Sequence, residues 1–206
     1  MNIIELKKER YKKFYNLDKE VKRLYHIHIA DPNDKPRPQL WRENVQQRID
    51  YAVNMYETAM SRLEWLHDDY IPYAPCVTGT EIFAEALGSK VMKPANDMPF
   101  AIPFITKSSE IADIKVPALE DSSLYYLFDM ADKIKEACGG EALLGLIDVQ
   151  TPMDIAALIW DKNCFFIAMI ATSAHVARIF LALHLGFTLR IEFLGGAETS
   201  ISQTFI

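Results

Sequence analysis

The sequence predicts an α/β fold in which strands alternate with helices. Residues 142–149, ALLGLIDV, form a continuous apolar run of strand length, and Gly139-Gly140 directly before it closes a helical pattern. Such a run is typical of a parallel strand that is covered on both faces. Pro152 then stands where a new helix would begin. This order of helix, strand, loop and helix indicates a β/α barrel or a doubly wound sheet.

The composition is that of a globular protein without a basic surface. Half of the 206 residues are hydrophobic and 11% are aromatic, whereas disordered chains are poor in such residues. The formal net charge of -6 argues against a general nucleic-acid partner, because such proteins neutralise phosphates with basic side chains. A small anionic substrate remains compatible with this charge.

The cysteines and the N-terminus favour the cytoplasm. Cys76, Cys138 and Cys164 are widely spaced and form no C-x-x-C pair, which suits a reducing compartment. The N-terminus meets charged residues within five positions and has no apolar signal core. The most apolar stretch, residues 164–187, contains Arg178. We therefore interpret it as buried barrel segments rather than a membrane-spanning helix, and we expect no membrane partner.

The first half of the chain predicts three helices. Residues 3–25 have one apolar stripe, which indicates a surface helix or a pair of helices. After a loop at residues 30–39, apolar residues recur every three or four positions from about Glu43 to Leu66 and predict a long helix. A short helix within residues 80–89 would end at Gly88.

The second half predicts a strand end at Val91 and Met92, followed by an extended excursion over residues 94–121, which hold four prolines. Another amphipathic helix is expected from Leu124 to Ala137. From Ala171 onward the chain has few charged residues and no clear period.

Three stretches carry a family resemblance when they are taken together. They are WRENVQQRIDYAVNMYETAMSRLEWLHDDYIPY (41–73), GTEIFAEALGSKV (79–91) and ALLGLIDVQTPMDIAALI (142–159). Their order and spacing resemble the uroporphyrinogen decarboxylase superfamily, in particular its divergent branches related to corrinoid methyltransferases. The resemblance covers roughly residues 40–170. It implies a (β/α)8 barrel of the TIM-barrel type, with its site at the C-terminal ends of the strands.

The length implies that this barrel is incomplete. A barrel of about 250 residues uses about 31 for each strand–helix unit, so residues 67–206 would supply about four and a half units. We therefore predict a helical extension at 1–66, the first strand–helix units at 67–170 and an atypical tail at 171–206. The tail is interpreted as a truncation or a frameshift, and completion of the barrel in a homo-oligomer is the alternative.

The resemblance points first to the acidic pair after the long helix. In decarboxylases of this family, an early aspartate holds pyrrole N–H groups and stabilises positive charge before carbon dioxide leaves. Asp69 is therefore predicted to be catalytic and Asp68 to bind the substrate, since a carboxylate acts most strongly on such charge in a dry site. The alternative is an exposed acidic pair that ends a helix.

The loop after the predicted strand carries the other candidates. Asp148 would lie at the strand end that faces the site of a barrel, and it is predicted to be a second catalytic residue. Gln150 and Thr151 follow on the same loop and are predicted to bind the substrate. The alternative for Asp148 is that it caps the helix that begins near Pro152. Glu81 is interpreted as a residue of the first turn or cap of its helix.

Several family features are missing from the sequence. No Arg-Gln-Ala-Gly-Arg stretch is present to hold substrate carboxylates, and Arg42 and Arg48 are interpreted as surface residues. No His-x-Cys occurs, and His26-Ile27-His28 is interpreted as a strand end or coil. We therefore predict no metal ligands and no cofactor.

The sequence leads to three hypotheses of function. The first is a cofactor-free carboxy-lyase acting on an anionic tetrapyrrole-like or aromatic carboxylate. The second is a relative of corrinoid-dependent methyltransferases that lacks its zinc half. The third is a non-catalytic fragment that associates with itself.

Overall fold

The computed structural model describes residues 2–30 and 35–171, with the side chains of Ala112 and Ala171 left aside. The chain forms two compact units. The first unit consists of Met1–Thr78 and Asp129–Ile147, and the second consists of Gly79–Phe128 and Asp148–Ile206. In chain order the elements are α1 (Ile3–Tyr15), α2 (Val45–Arg62), α3 (Ile82–Ala86), β1 (Lys90–Met92), β2 (Phe100–Ile102), α4 (Tyr126–Ala137), α5 (Pro152–Ile159) and α6 (Lys162–Ala171).

The first unit buries one face of α2 and one face of α4. Ile49 and Ala52 of α2 are buried, as are Met130 and Ile134 of α4, and the three- and four-residue steps place each pair on one side of its helix. Arg48 is also buried, with 4% of its surface exposed. The prediction that Arg48 is a surface residue is therefore wrong.

The burial of Arg48 is compensated by a hydrogen bond. Its guanidinium donates to the carbonyl oxygen of Val77 at 2.8 Å, which meets the requirement that a buried charge has polar partners. The side chain also lines a small cavity with Tyr51, Pro75 and Ile134. Arg48 thus ties α2 to the segment that follows the acidic pair.

The second unit is built around α5. This helix packs against α3 and β2, and it buries Ile155 and Ile159. Burial of such a side chain contributes about 1.5–3 kcal/mol. The strands β1 and β2 form an antiparallel pair in which Lys90 lies opposite Ile102. Gly88 has a φ of 102°, a conformation that suits glycine and ends α3.

The prediction of a (β/α)8 barrel is wrong. Among the described residues the only sheet has two short antiparallel strands. Residues 142–149 do not form a strand, and Leu144 makes one isolated parallel bridge to Ala74. Leu146 is 86% exposed, so the apolar run is not a strand covered on both faces.

A proline limits how far this pairing can extend towards the N-terminal side. The N–H of Ala74 donates to the carbonyl oxygen of Leu143 at 2.8 Å, and the N–H of Gly145 donates to that of Ala74 at 2.7 Å. The next bond of such a ladder would join the N–H of Leu143 to the carbonyl oxygen of Pro72, and the bond after it would join the N–H of residue 72 to the carbonyl oxygen of Glu141. Residue 72 is proline, which has no N–H to donate.

The helix predictions are confirmed in type, with shifted ends. The long helix is α2, the helix before the glycine pair is α4, and Pro152 opens α5 as expected. Residues 3–25 are helical only to Tyr15, since Leu17 adopts a positive φ of 56°. The predicted tail lies outside the described residues from 172 onward.

The apolar stretch at 164–187 is described only to Ala171, where α6 ends. Within the described part of the chain, no helix has the length and apolar character needed to cross a membrane.

Candidate functional site

The acidic pair of the first unit is buried. The side chains of Asp68 and Asp69 are 3% and 7% exposed, so the alternative of an exposed acidic pair is wrong. A buried carboxylate requires a cation and hydrogen-bond donors. Both aspartates find these partners on α1 and on the segment after it.

Asp68 is paired with Lys7 of α1. The ammonium Nζ lies 3.1 Å from Asp68 Oδ1 and donates also to the carbonyl oxygen of Tyr70 at 2.9 Å. The N–H groups of Ile27 and Tyr70 donate to the carboxylate at 3.0 and 3.1 Å. Burial acts to raise the pKa of Asp68, but these hydrogen bonds and the charge of Lys7 outweigh it and lower the pKa below its ordinary value.

Asp69 is paired with Arg10, one helical turn further along α1. The guanidinium Nε donates to Asp69 Oδ1. The backbones of Asp69 and Tyr25 are joined to the pair as well, because Tyr25 N–H donates to Asp69 Oδ2 at 3.0 Å and Asp69 N–H donates to the Tyr25 carbonyl at 2.9 Å. The two aspartates thus fasten α1 and residues 25–27 to the chain that follows α2.

A cleft of about 330 Å³ opens beside Asp68 in the same unit. We call it the α2 cleft, and its polar lining comprises His26, His28, Arg62, Asp68 and Tyr70. Its apolar lining includes Ile27, Met55, Leu63 and Leu66. The two histidines are exposed to solvent, so a ligand has direct access.

Simple periodicities bring these side chains together. His26 and His28 are two positions apart in a coil segment, and both line the α2 cleft. Met55 and Arg62 are seven positions apart on α2, which puts them on one helical face. Arg62 donates to the carbonyl oxygen of Ile29 at 3.2 Å, and this bond holds the coil segment beside α2.

The charge in the α2 cleft favours anions. The negative charge of Asp68 is compensated by Lys7, which lies on its far side with only 8% of its side chain exposed. Arg62 is therefore the uncompensated charge among the lining residues, and histidines add positive charge when they are protonated. No group of three or more His, Cys, Asp or Glu side chains among the described residues is arranged to hold a metal ion.

The remaining predicted site residues lie in the second unit. Thr151 is the N-cap of α5, and it exchanges hydrogen bonds with Asp154 in a capping box. The alternative role of Asp148 as this cap is therefore wrong. Gln150 donates from Nε2 to the carbonyl oxygen of Thr80 at 2.6 Å. Asp148 is half-buried, and the catalytic and substrate-binding roles of these residues stay predictions.

Glu81 occupies the N-cap position of α3, as the sequence indicates, but its side chain does not cap the helix. It is buried and folds back over Gly79, where an added Cβ would collide with its carboxyl group. A side chain at position 79 would therefore have to displace the Glu81 carboxyl group.

Four residues of the α2 cleft were not predicted from the sequence to be functional. His26 and His28 were interpreted as a strand end or coil, and the structure shows coil. Arg62 and Tyr70 were not singled out. A signal was present, since Arg62 shares the helical face of Met55 at a seven-residue spacing, and a cation on such a partly apolar face indicates a binding surface.

Compared with known proteins, the chain matches no family model and no curated protein sequence. The similarity of residues 40–170 to the uroporphyrinogen decarboxylase superfamily remains a resemblance of motifs.

Proposed function

We propose that the first unit binds a small aromatic carboxylate in the α2 cleft. The observation that carries this proposal is the cleft itself, where Arg62, His26 and His28 stand beside apolar side chains of α2. Ligand pockets of proteins combine an apolar lining with a few converging polar groups. An aromatic ring would contact Met55 and Leu63, and the carboxylate would lie at the basic side chains.

The volume of the cleft supports a ligand with a single ring. At about 330 Å³ it lies at the small end of the range of about 300–1,000 Å³ that is typical of ligand pockets. A tetrapyrrole is much larger than one substituted ring. Of the two substrate classes that the sequence suggests, the cleft therefore supports the aromatic carboxylate.

Arg62 is proposed to be the main contact of the carboxylate. A guanidinium has five N–H donors in a planar fork, and two of them match the two oxygens of a carboxylate. One terminal nitrogen of Arg62 donates to the carbonyl oxygen of Ile29. This bond restrains the side chain, so less conformational entropy is lost when a ligand binds.

Decarboxylation is the reaction that we propose for such a ligand. A proton from solvent adds to the ring carbon that bears the carboxylate, the bond between this carbon and the carboxyl carbon then breaks, its electron pair restores the aromatic ring, and carbon dioxide leaves. Asp68 lines the α2 cleft, so it supports this step better than Asp69 does. Its carboxylate keeps Lys7 as a partner and would in addition stabilise the positive charge that the ring carries after it takes up the proton.

Calorimetric titration of the full chain with benzoate tests the binding proposal. Benzoate is expected to bind and benzamide, its neutral counterpart of similar shape, to bind much more weakly. In Arg62→Gln the affinity for benzoate should fall about tenfold or more, because a hydrogen bond to a charged group contributes about 1.5–3 kcal/mol. Arg23→Gln removes an exposed arginine of the same unit and should leave the affinity unchanged.

Two results would contradict the binding proposal. One is equal binding of benzoate and benzamide by the wild-type protein, and the other is an unchanged benzoate affinity in Arg62→Gln. The decarboxylation proposal has its own readout, which is carbon dioxide released from hydroxybenzoates that bind. The decarboxylation proposal is abandoned if these acids bind to the wild-type protein but it releases carbon dioxide no faster than Asp68→Asn does.

A further inference from the structure

His26 of the α2 cleft is held by a residue from outside the cleft. The hydroxyl of Tyr11 on α1 is hydrogen-bonded to His26 Nε2, and the two ring centroids lie 6.3 Å apart. Tyr70 meets the same imidazole edge to face, with centroids 5.5 Å apart and an interplanar angle of 87°. The orientation of the imidazole is therefore fixed by one hydrogen bond and two ring contacts.

Tyr11 keeps its own proton at neutral pH. Burial raises the pKa of its phenol, and the nearby charge of Asp69, the phenol of Tyr15 and the charge of Asp68 raise it further. A protonated phenol can donate to the bare nitrogen of a neutral imidazole or accept from its N–H, and it prefers to donate because the bare nitrogen is a stronger acceptor than the phenol oxygen. Nε2 of neutral His26 is then the acceptor.

The proton of His26 follows from this bond. A neutral imidazole has one N–H and one bare nitrogen, so a donor at Nε2 leaves the proton on Nδ1. When His26 is protonated, Nε2–H donates to the oxygen of Tyr11 and Nδ1 still carries its proton. In both states, Nδ1 is a hydrogen-bond donor.

We infer that Tyr11 is a positioning residue that keeps His26 in the Nδ1–H form and thereby makes the α2 cleft selective for anions. Because Tyr11 occupies Nε2, Nδ1 is the ring nitrogen that is left for a ligand. A bare Nδ1 would repel a carboxylate oxygen, whereas an Nδ1–H donates to it. The choice of ligand class rests on the proposed function. The tautomer of His26 is independent of the proposed function, because the hydrogen bond to Tyr11 exists without a ligand.

Nitrogen-15 NMR of the imidazole rings tests this inference in the full chain. The His26 signals are assigned by comparison with His26→Gln. At an alkaline pH at which the imidazole is neutral, wild-type His26 should show the Nδ1–H tautomer. Tyr11→Phe should move the population towards Nε2–H, and Tyr15→Phe, which removes an exposed hydroxyl from the same helix, should not.

Benzoate affinity supplies the second readout. Tyr11→Phe should weaken benzoate binding roughly fivefold, as expected for one hydrogen bond that is no longer oriented, while benzamide binding stays the same. If the tautomer of His26 is Nε2–H in the wild type, or is unchanged in Tyr11→Phe, the positioning role is overturned. If the tautomer changes as expected and wild-type protein fails to bind benzoate, the positioning role stands and the proposed function fails.

Discussion

At the scale of single residues, the buried ion pair of Lys7 and Asp68 is expected to stabilise the folded protein. Both side chains are less than a tenth exposed, and removal of one charge from a buried pair leaves the other without compensation. Asp68→Asn should therefore lower the free energy of unfolding by roughly 3 kcal/mol, as measured by urea denaturation at pH 7. Glu5→Gln breaks the exposed pair with Lys8 and should change it little.

The effect of Asp68→Asn on the free energy of unfolding should depend on pH in one direction only. The pKa of Asp68 is lower in the folded protein than its ordinary value of 3.8, so the contribution of its charge to stability is present above that value. It is lost as the pH falls from there through the folded pKa. The difference in stability between wild type and Asp68→Asn should thus shrink at acid pH, and a difference that grows would contradict the assignment.

The sequence singled out the acidic pair beside the α2 cleft but neither of the basic residues that neutralise it. Asp68 was singled out because an acidic pair after a long helix is visible in the sequence, and it does line a cleft. Lys7 and Arg10, which neutralise the pair, lie about 60 positions away along the chain. Their charges alternate with those of acidic neighbours, so the pattern alone indicates a solvated helix face.

At the scale of single elements, the capping box of α5 makes a simple prediction. Thr151 Oγ1 accepts from the N–H of Asp154 at 3.2 Å, and loss of an N-cap hydrogen bond costs about 1 kcal/mol. Thr151→Ala should lower the stability of the second unit by that amount in thermal unfolding, and Thr151→Ser, which keeps the hydroxyl, should stay near wild type. Equal stability of all three proteins would show that the box does not stabilise α5.

The helices were predictable from the sequence, whereas of the two strand predictions only that of Val91 and Met92 is confirmed, in β1. This difference has a physical reason. A helix closes its hydrogen bonds within itself, so its period, its proline start and its glycine stop are all local signals, as α4 and α5 illustrate. A strand requires a partner elsewhere in the chain. Residues 142–149 have the composition of a buried strand, but their partner segment around Ala74 supports one bridge only.

At the scale of the whole molecule, the barrel prediction joined correct local observations into an incorrect architecture. The helix before the glycine pair is α4, and the helix that begins at Pro152 is α5, both as predicted. Their alternation with one apolar run suggested parallel strands, yet residues 142–147 belong to the first unit and residues 148–159 to the second. The predicted strand, loop and helix are thus divided between two units, and no local pattern in the sequence indicates this division.

The most direct test of the account is an NMR titration of the isotope-labelled full chain with benzoate. If the α2 cleft is the binding site, signals of His26, His28, Arg62 and Tyr70 should shift progressively and saturate, while signals of the second unit stay unchanged. Benzamide at the same concentrations should cause little change. Shifts confined to the second unit, or none at these four residues when benzoate is in large excess, would contradict the account.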